Sequence, residues 1–293
     1  YENGFLIRGD VNDFKSISQA SKDADLIVHA AAQVAVTTSK KDPRADFETN
    51  ALGTFNVLEA ARRTDSTVVY CSTNKVYGEN VNKIAVEESK KRYHFLDERF
   101  RNGIAENSPI DLCSHSPYGC SKLCGDIYAQ DYASTYGLKT GIFRMSCIYG
   151  ERQLGVEDQG WVSWFVIATL TGRPVTIYGD GKQVRDVLHV TDLANAFGAF
   201  VESNLKHEVF NIGGGPSNTL SILELLDILE ELIGRKARAS FGEWRPADQK
   251  VYVSNVSKLK EKLKWNPKIS VEKGVKVVID WVTENLQFVS SSV

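Results

Sequence analysis

Four short apolar runs, each bounded by turn residues and separated by stretches of helical period, limit what this chain can fold into more than any other feature. The runs are Gly4-Phe5-Leu6-Ile7-Arg8-Gly9, Asp25-Leu26-Ile27-Val28-His29, Thr67-Val68-Val69-Tyr70-Cys71 and Thr140-Gly141-Ile142-Phe143-Arg144. Continuous apolar character, without alternation, predicts strands buried on both faces, as in a parallel sheet. Between them, Phe47 to Arg63 sets Phe47, Ala51, Phe55 and Leu58 on one helical face, so strands and helices alternate. The expected fold class is α/β, with a doubly wound parallel sheet.

After Gly150 the pattern changes. Trp161, Trp164 and Phe165 open a helix, Val175-Thr176-Ile177-Tyr178 ends in a Gly-Asp-Gly turn, and Val209-Phe210-Asn211-Ile212 enters Gly213-Gly214-Gly215. Leu220 to Leu232 is amphipathic, and Trp265-Asn266-Pro267 stops a Lys-rich helix. This part of the chain is expected to form a smaller lobe at the carboxyl ends of the strands, where such sheets bind ligands. Val81 to Asn107 is polar and charged, and is expected to be a surface insertion.

A length of 293 residues with 42% hydrophobic content is enough for a large core. A net charge of -2 offers no field for nucleic acid or an anionic membrane, which leaves a small molecule as the expected partner. The 5 cysteines lack the spacing of a secreted disulfide framework, and no stretch is apolar enough to span a bilayer, so a reducing cytoplasm is expected.

The chemistry is concentrated in Ser72-Thr73-Asn74-Lys75-Val76-Tyr77-Gly78, at the end of an apolar strand, and in Tyr118 and Lys122. Ser116 and Pro117 supply a cap and a first-turn proline, and Gly137 a stop, so Tyr118 and Lys122 fall one turn apart on a helix. A second Tyr-x-x-x-Lys, at Tyr178 and Lys182, lies in a glycine turn instead. An ammonium beside a phenol is expected to lower the phenol's pKa and make Tyr118 a base, with Thr73 binding the same substrate hydroxyl. Hydroxyl, phenol and ammonium are the groups needed to take a proton from an alcohol as its hydride leaves. Cys120, Cys124 and nearby His115 are too few for a metal site and read as buried small residues; no metal is expected. His189 and His207 are expected to lack carboxylate or cysteine company.

These motifs resemble those of the extended short-chain dehydrogenase/reductases, the NAD-dependent sugar-nucleotide epimerases and dehydratases, over essentially the whole chain. The resemblance implies a Rossmann-type NAD-binding domain over 1–146 and 185–212 and a sugar-nucleotide lobe over 147–184 and 213–293. It implies that Asp10 and Val11 hold the adenine and that Ala30, Ala31, Ala32 and Gln33 form a small-residue strand end under the cofactor. Asn50, Ser72, Met145 and Ser146 join them, while Lys122 holds the nicotinamide ribose and Tyr118 contacts both cofactor and substrate. Thr73, Asn74, Lys75 and Cys147 are implied near the substrate, with Gln159, Lys182, Gln183, Arg185, Arg245 and Asp248 around its nucleotide. Arg245-Pro246-Ala247-Asp248 is the second nucleotide contact, and Arg185 meets the diphosphate. Many relatives carry asparagine at the position of Cys147.

The family's glycine-rich phosphate loop is not in this sequence, which reads as beginning just before the third strand of the usual plan, so N-terminal strands are expected to be missing from it. Gly213-Gly214-Gly215-Pro216-Ser217-Asn218 lacks the required spacing and reads as a strand-to-helix turn. Dehydratase and decarboxylase relatives follow the threonine with an acid; Asn74 and Lys75 stand there instead, which leaves oxidation and return of the same hydride, an epimerisation. Within the family the motifs look most like those of epimerases acting at C2 of a CDP-linked 3,6-dideoxyhexose. A 4-epimerase or reductase of a UDP or GDP sugar, and a non-catalytic nucleotide-sugar-binding relative, stay open. A homo-oligomer is expected.

Overall fold

The computed structural model describes residues 4–245 and 248–292, and the chain divides into two compact units. The first comprises residues through Val76, His115–Arg144 and Phe200–Phe210; the second comprises Tyr77–Ser114, Met145–Ala199 and the chain from Asn211 onward. The polar segment after Val76 thus groups with the second unit.

The first unit is organised by a sheet in the order Leu26–His29, Thr67–Thr73, Thr140–Met145, His207–Ile212, whose first two strands run parallel with Val28 opposite Val69. Three of the apolar runs are therefore strands. The fourth, Gly4 to Gly9, is not: it has no strand geometry, and Phe5 and Leu6 are exposed. A strand needs a ladder partner for its backbone groups, and the sheet path, which begins at Leu26–His29, does not include the run. Behind the sheet, Leu58, Ala61, Val68, Tyr70, Ala129, Tyr132, Leu138 and Ile142 form one core.

The helix expected over Phe47 to Arg63 is interrupted. Pro43–Phe47 and Gly53–Thr64 are α-helical, but Glu48–Leu52 between them is a π-turn. The wider turn changes the phase of the helix, so Phe47 and Phe55 are exposed while Ala51 and Leu58 stay buried, and Asp46 and Asn50 turn inward. Single-period reasoning had put all four apolar residues on one face. The next long helix, Pro117–Tyr136, follows its sequence signals closely: the Ser116 hydroxyl caps the Gly119 amide, and Gly137 ends it at φ 71°. Gly125 lets this helix approach the sheet, because a Cβ there would lie 2.5 Å from the Tyr70 hydroxyl oxygen and 3.0 Å from Thr54. Gly125→Ala is accordingly expected to destabilise the protein by about 1–3 kcal/mol, seen as a lower urea midpoint at unchanged m.

The second unit has its own core, centred on Phe165, Val166, Ile167, Leu225, Leu229, Val275 and Val278. The Trp161–Thr171, Ile222–Ile233 and Val271–Glu284 helices build it. Val184–His189 pairs with Cys147–Tyr149, Thr219–Ser221 and Val251–Tyr252. The insertion is more than a surface loop. Its hairpin, Val86–Glu88 with Tyr93–Phe95, buries Tyr93 against Val184, Val251 and Val253, and Arg92 ion-pairs with Glu224 at 2.6 Å. Gly213 to Gly215 is a turn into the short strand Thr219–Ser221, not directly into a helix. Gly213 is required there, since a Cβ would meet the Asp186 carboxylate at 1.9 Å. Among the described residues no helix is long and apolar enough to cross a membrane.

Candidate active site

In the first unit Thr73 and Tyr118 meet. Thr73 ends the Thr67–Thr73 strand and is buried, Tyr118 lies half-buried in the first turn of the Pro117–Tyr136 helix, and the Thr73 hydroxyl is near enough to the phenol to lower its pKa. The strand end is shaped locally: the Lys75 amide donates to the Thr73 hydroxyl at 3.3 Å, and Asn74 is buried beside it. Lys75 is half-buried, and its carbonyl oxygen would be 3.0 Å from a Cβ on Gly119, so a glycine in the helix's first turn gives the strand-end backbone its room.

Lys122 is buried one turn further along, its ammonium 4.4 Å from the centre of the Tyr70 ring and, among the described residues, without a hydrogen-bond acceptor. Burial pulls its pKa down to about 8, against the raising influence of Cys71, Asp126 and Asp46. Tyr118 departs from expectation. Its phenol is pushed up by burial, with the nearby Thr73 hydroxyl opposing and Asp46 and Cys71 adding to the rise. Desolvation here outweighs any help from Lys122, which packs on the Tyr70 ring instead. His29 stacks on the other aromatic neighbour at 5.6 Å from Tyr70, hydrogen-bonds Thr54 at 2.9 Å, and is held neutral with its pKa lowered to about 3, by burial first and Lys122 second.

The remaining first-unit residues fall into three groups. Ala30 and Ala31 are exposed beyond the end of Leu26–His29, followed by half-buried Ala32 and Gln33. Asn50, buried, accepts from the Gln33 amide at 2.8 Å and donates to the Gln33 carbonyl at 3.0 Å, so it locks that loop. Asp10 is exposed and caps the Asn12 amide, and the Val11 carbonyl accepts from Asn56 at 2.8 Å. Ser72 is committed to structure: it donates to Asp126 at 2.6 Å, and Asp126 also holds Arg144 in a buried ion pair at 3.0 Å.

In the second unit, Ser146 donates to the buried Asp186 carboxylate at 2.5 Å, beside half-buried Met145 and Cys147; Trp161 donates its indole N–H toward the Cys147 sulfur at 3.3 Å. Each cation expected around the nucleotide has an acid. Lys182 pairs with Glu88, Arg185 with Asp248 at 2.6 Å, and Arg245 with Asp158 at 2.9 Å while lying 4.0 Å over the Tyr178 ring. Pro246 and Ala247 of the expected nucleotide contact lie outside the described residues. Gln159 is exposed. Gln183 is buried, donates to the Tyr178 carbonyl at 2.8 Å, and leaves its own carbonyl oxygen without a partner among the described residues. Cys120 is exposed rather than buried, and no group of three or more potential metal ligands occurs among the described residues. His189 does have a carboxylate, Glu151 at 3.1 Å, supplied by the turn after the Cys147–Tyr149 strand.

The NAD dependent epimerase/dehydratase family matches residues 2–213. The chain belongs to that family. It is 40% identical to the CDP-paratose 2-epimerase of Salmonella typhi over 95% of this chain and 84% of that protein. A putative UDP-glucose 4-epimerase of Methanocaldococcus jannaschii is 35% identical over 90% of this chain and 79% of that one. Among solved structures, UDP-glucose 4-epimerase of Thermotoga maritima with UDP-glucose superposes with a TM-score of 0.84 at 27% identity, covering 98% and 86% of the two chains. The Thermus thermophilus UDP-glucose 4-epimerase complex with NAD gives 0.78 at 30%, covering 94% and 84%. The fold of this epimerase/dehydratase is thus the Rossmann type, and the chain is an NAD-dependent enzyme of the nucleotide-sugar epimerase family.

The first unit fits that cofactor. A buried ammonium with no acceptor of its own suits a vicinal diol, and the exposed alanines at the strand end leave a surface without bulk for a flat ring. Sequence reasoning missed Asp46, Ser121 and Asp126, which surround the expected residues. Asp46 stands four residues before Asn50, and Asp126 four after Lys122, so helical spacing from a known site residue was the available signal.

Proposed function

We propose that this enzyme epimerises C2 of a CDP-linked 3,6-dideoxyhexose by transient oxidation to the ketone and return of the same hydride to the other face. The observation that carries the proposal is the approach of the Thr73 hydroxyl to the Tyr118 phenol, with Lys122 one turn on and no acid following Thr73. NAD, when bound, supplies the hydride acceptor and a cationic nicotinamide. Thr73 orients the substrate hydroxyl and Tyr118 takes its proton, returning it in the second half-reaction. Lys122 binds the cofactor's ribose and, as an ammonium, favours the phenolate once the site is filled.

Gln159, Lys182, Gln183, Arg185, Arg245 and Asp248 are assigned to the nucleotide. Gln183 supports this with its unpartnered carbonyl oxygen, which calls for a hydroxyl or amino donor. Lys182, Arg185 and Arg245 would exchange their carboxylate partners for phosphate oxygens, so binding is an exchange of anions more than a gain of charge contacts. Met145, Ser146 and Cys147 follow with the cofactor and sugar. The 40% identity to a CDP-paratose 2-epimerase favours the CDP sugar and C2. The UDP-glucose 4-epimerase relatives favour a second reading, a 4-epimerase of a UDP sugar.

The proposal includes a homo-oligomer in the cytoplasm. Phe55, Ile127, Tyr128 and Tyr136 are exposed on the Gly53–Thr64 and Pro117–Tyr136 helices, with Phe55 edge-on to Tyr128 at 5.8 Å, an apolar face of the kind that copies of a chain cover.

Hydride return makes a definite isotopic prediction. Turnover of CDP, UDP and GDP sugars side by side in heavy water is expected to place no deuterium on the inverted carbon, and borodeuteride trapping of the ketone is expected to label it. Solvent deuterium at that carbon would mean deprotonation chemistry; turnover of only UDP sugars would select the second reading.

A further inference from the structure

Asp46 is a buried carboxylate, 1% exposed, with no cation in hydrogen-bond contact among the described residues. Three neutral donors converge on it instead: Ser121 Oγ at 2.6 Å, Gln33 Nε2 at 2.6 Å and Asn50 Nδ2 at 3.2 Å. Their polarity is fixed by their other bonds. Gln33 Oε1 is taken by the Ala35 amide at 2.6 Å, and Asn50 Oδ1 by the Gln33 amide at 2.8 Å, so both side-chain amides must turn N–H toward Asp46. Ser121 Oγ accepts from Asn50 at 3.1 Å, and of the two acceptors for its proton Asp46 at 2.6 Å is closer than the Tyr118 carbonyl at 3.1 Å. Only a group that accepts everywhere fits this cage.

Each donor comes from a different part of the first unit. Gln33 lies in the loop after the Leu26–His29 strand, Asn50 in the π-turn, and Ser121 on the Pro117–Tyr136 helix between Tyr118 and Lys122. We infer that Asp46 is a positioning residue of the reaction, which fixes the first turn and a half of the catalytic helix against the cofactor-side loop through Ser121 and Asn50. This rests on the reading of Thr73, Tyr118 and Lys122 as the reacting residues.

The carboxylate also contributes charge. Asp46 raises both the Lys122 ammonium and the Tyr118 phenol in pKa. Other groups face Lys122 as well: Cys71 and the Tyr70 ring from the Thr67–Thr73 strand, Asp126 from its own helix, and His29 from the edge strand. With His29 neutral, Asp46 and Asp126 are the two carboxylates among them, and Asp126 is already paired with Arg144.

The test compares NAD-loaded wild type with Asp46→Asn, Ser121→Ala and Tyr118→Phe, following kcat, KM and the pH profile of kcat. Asp46→Asn sets N–H against N–H in the cage and removes the charge. It is expected to lower kcat about 10- to 100-fold with KM within about threefold, and to move the alkaline limb down by about half a unit or more. Ser121→Ala is expected to lower kcat several-fold with the alkaline limb unmoved, because the carboxylate stays. Wild-type kcat and pH profile in Asp46→Asn, beside an inactive Tyr118→Phe, would overturn the inference, as would a loss of kcat with the alkaline limb fixed. If Asp46→Asn does not fold, wild-type kcat in Ser121→Ala overturns it. A fully active Tyr118→Phe would instead remove the reading of the triad.

Discussion

Tyr118→Phe is expected to lower kcat on the order of a thousandfold while leaving the affinity for the nucleotide sugar within a few-fold of wild type. The change deletes one oxygen from a half-buried ring, so the Pro117–Tyr136 helix keeps its cap at Ser116 and its packing at Gly125. What disappears is the phenol oxygen near the Thr73 hydroxyl, the group proposed to receive the substrate proton. Because the unfilled site holds the phenol above its ordinary range, wild-type activity is expected to rise with pH until Lys122 begins to lose its own proton near its value of about 8. Single-turnover kinetics with NAD-loaded enzyme would separate the chemical step from binding, and near-normal turnover would remove Tyr118 as the base.

Lys122→Met is expected to have two opposite effects: loss of turnover and of NAD retention, and a more stable NAD-free protein. Lys122 is 3% exposed, lies over the Tyr70 ring, and has a folded pKa of about 8 against a reference of 10.5. Folding therefore desolvates its charge, a cost present in full below about pH 8. As pH rises from about 8 toward 10.5 the folded protein sheds the proton before the unfolded chain does, and stability recovers. Methionine fills similar space without the charge, so a gain on the order of 1–3 kcal/mol at pH 7 is expected, shrinking by pH 10. Urea unfolding of NAD-free wild type and variant at both pH values is the measurement, and an equal or larger gain at pH 10 would rule out charge burial as the cause. The lysine is then a residue kept for what it binds.

The elements most legible in sequence were those whose signals are local. Ser116, Pro117 and Gly137 announced a helix that the structure delivers, and the Thr67 and Thr140 runs announced strands. Gly4 to Gly9 carried the same apolar signal but makes no strand, since a strand depends on a neighbour that composition does not specify. The phase of the Phe47 to Arg63 helix was misjudged because periodicity assumes one pitch throughout. At the site, hydroxyl, phenol and ammonium could be named from spacing, and Thr73 does meet Tyr118. The direction of the phenol's shift could not, because burial, which dominates it, is a property of packing. The contact of Asp46 with Ser121 was not legible for a related reason: it spans 75 positions of chain.

The π-turn at Glu48–Leu52 gives that last contact an unusual dependence on chain length. In a regular α-helix each residue advances the side chains by about 100°, so an acid four positions before an asparagine would share its face only by keeping strict pitch. A π-turn is the footprint of a single extra residue absorbed without breaking the rod. Here Asp46 precedes it, Asn50 sits within it, and Thr54 follows it, its hydroxyl donating to the Asn50 carbonyl at 2.5 Å. Removing any one residue of the five would let the helix heal and would turn everything on its N-terminal side by roughly a quarter of a circle, carrying Asp46 away from Ser121. A segment that looks like ordinary scaffold is thus intolerant of a one-codon deletion, although neither it nor its flanking helices touch the reacting hydroxyl.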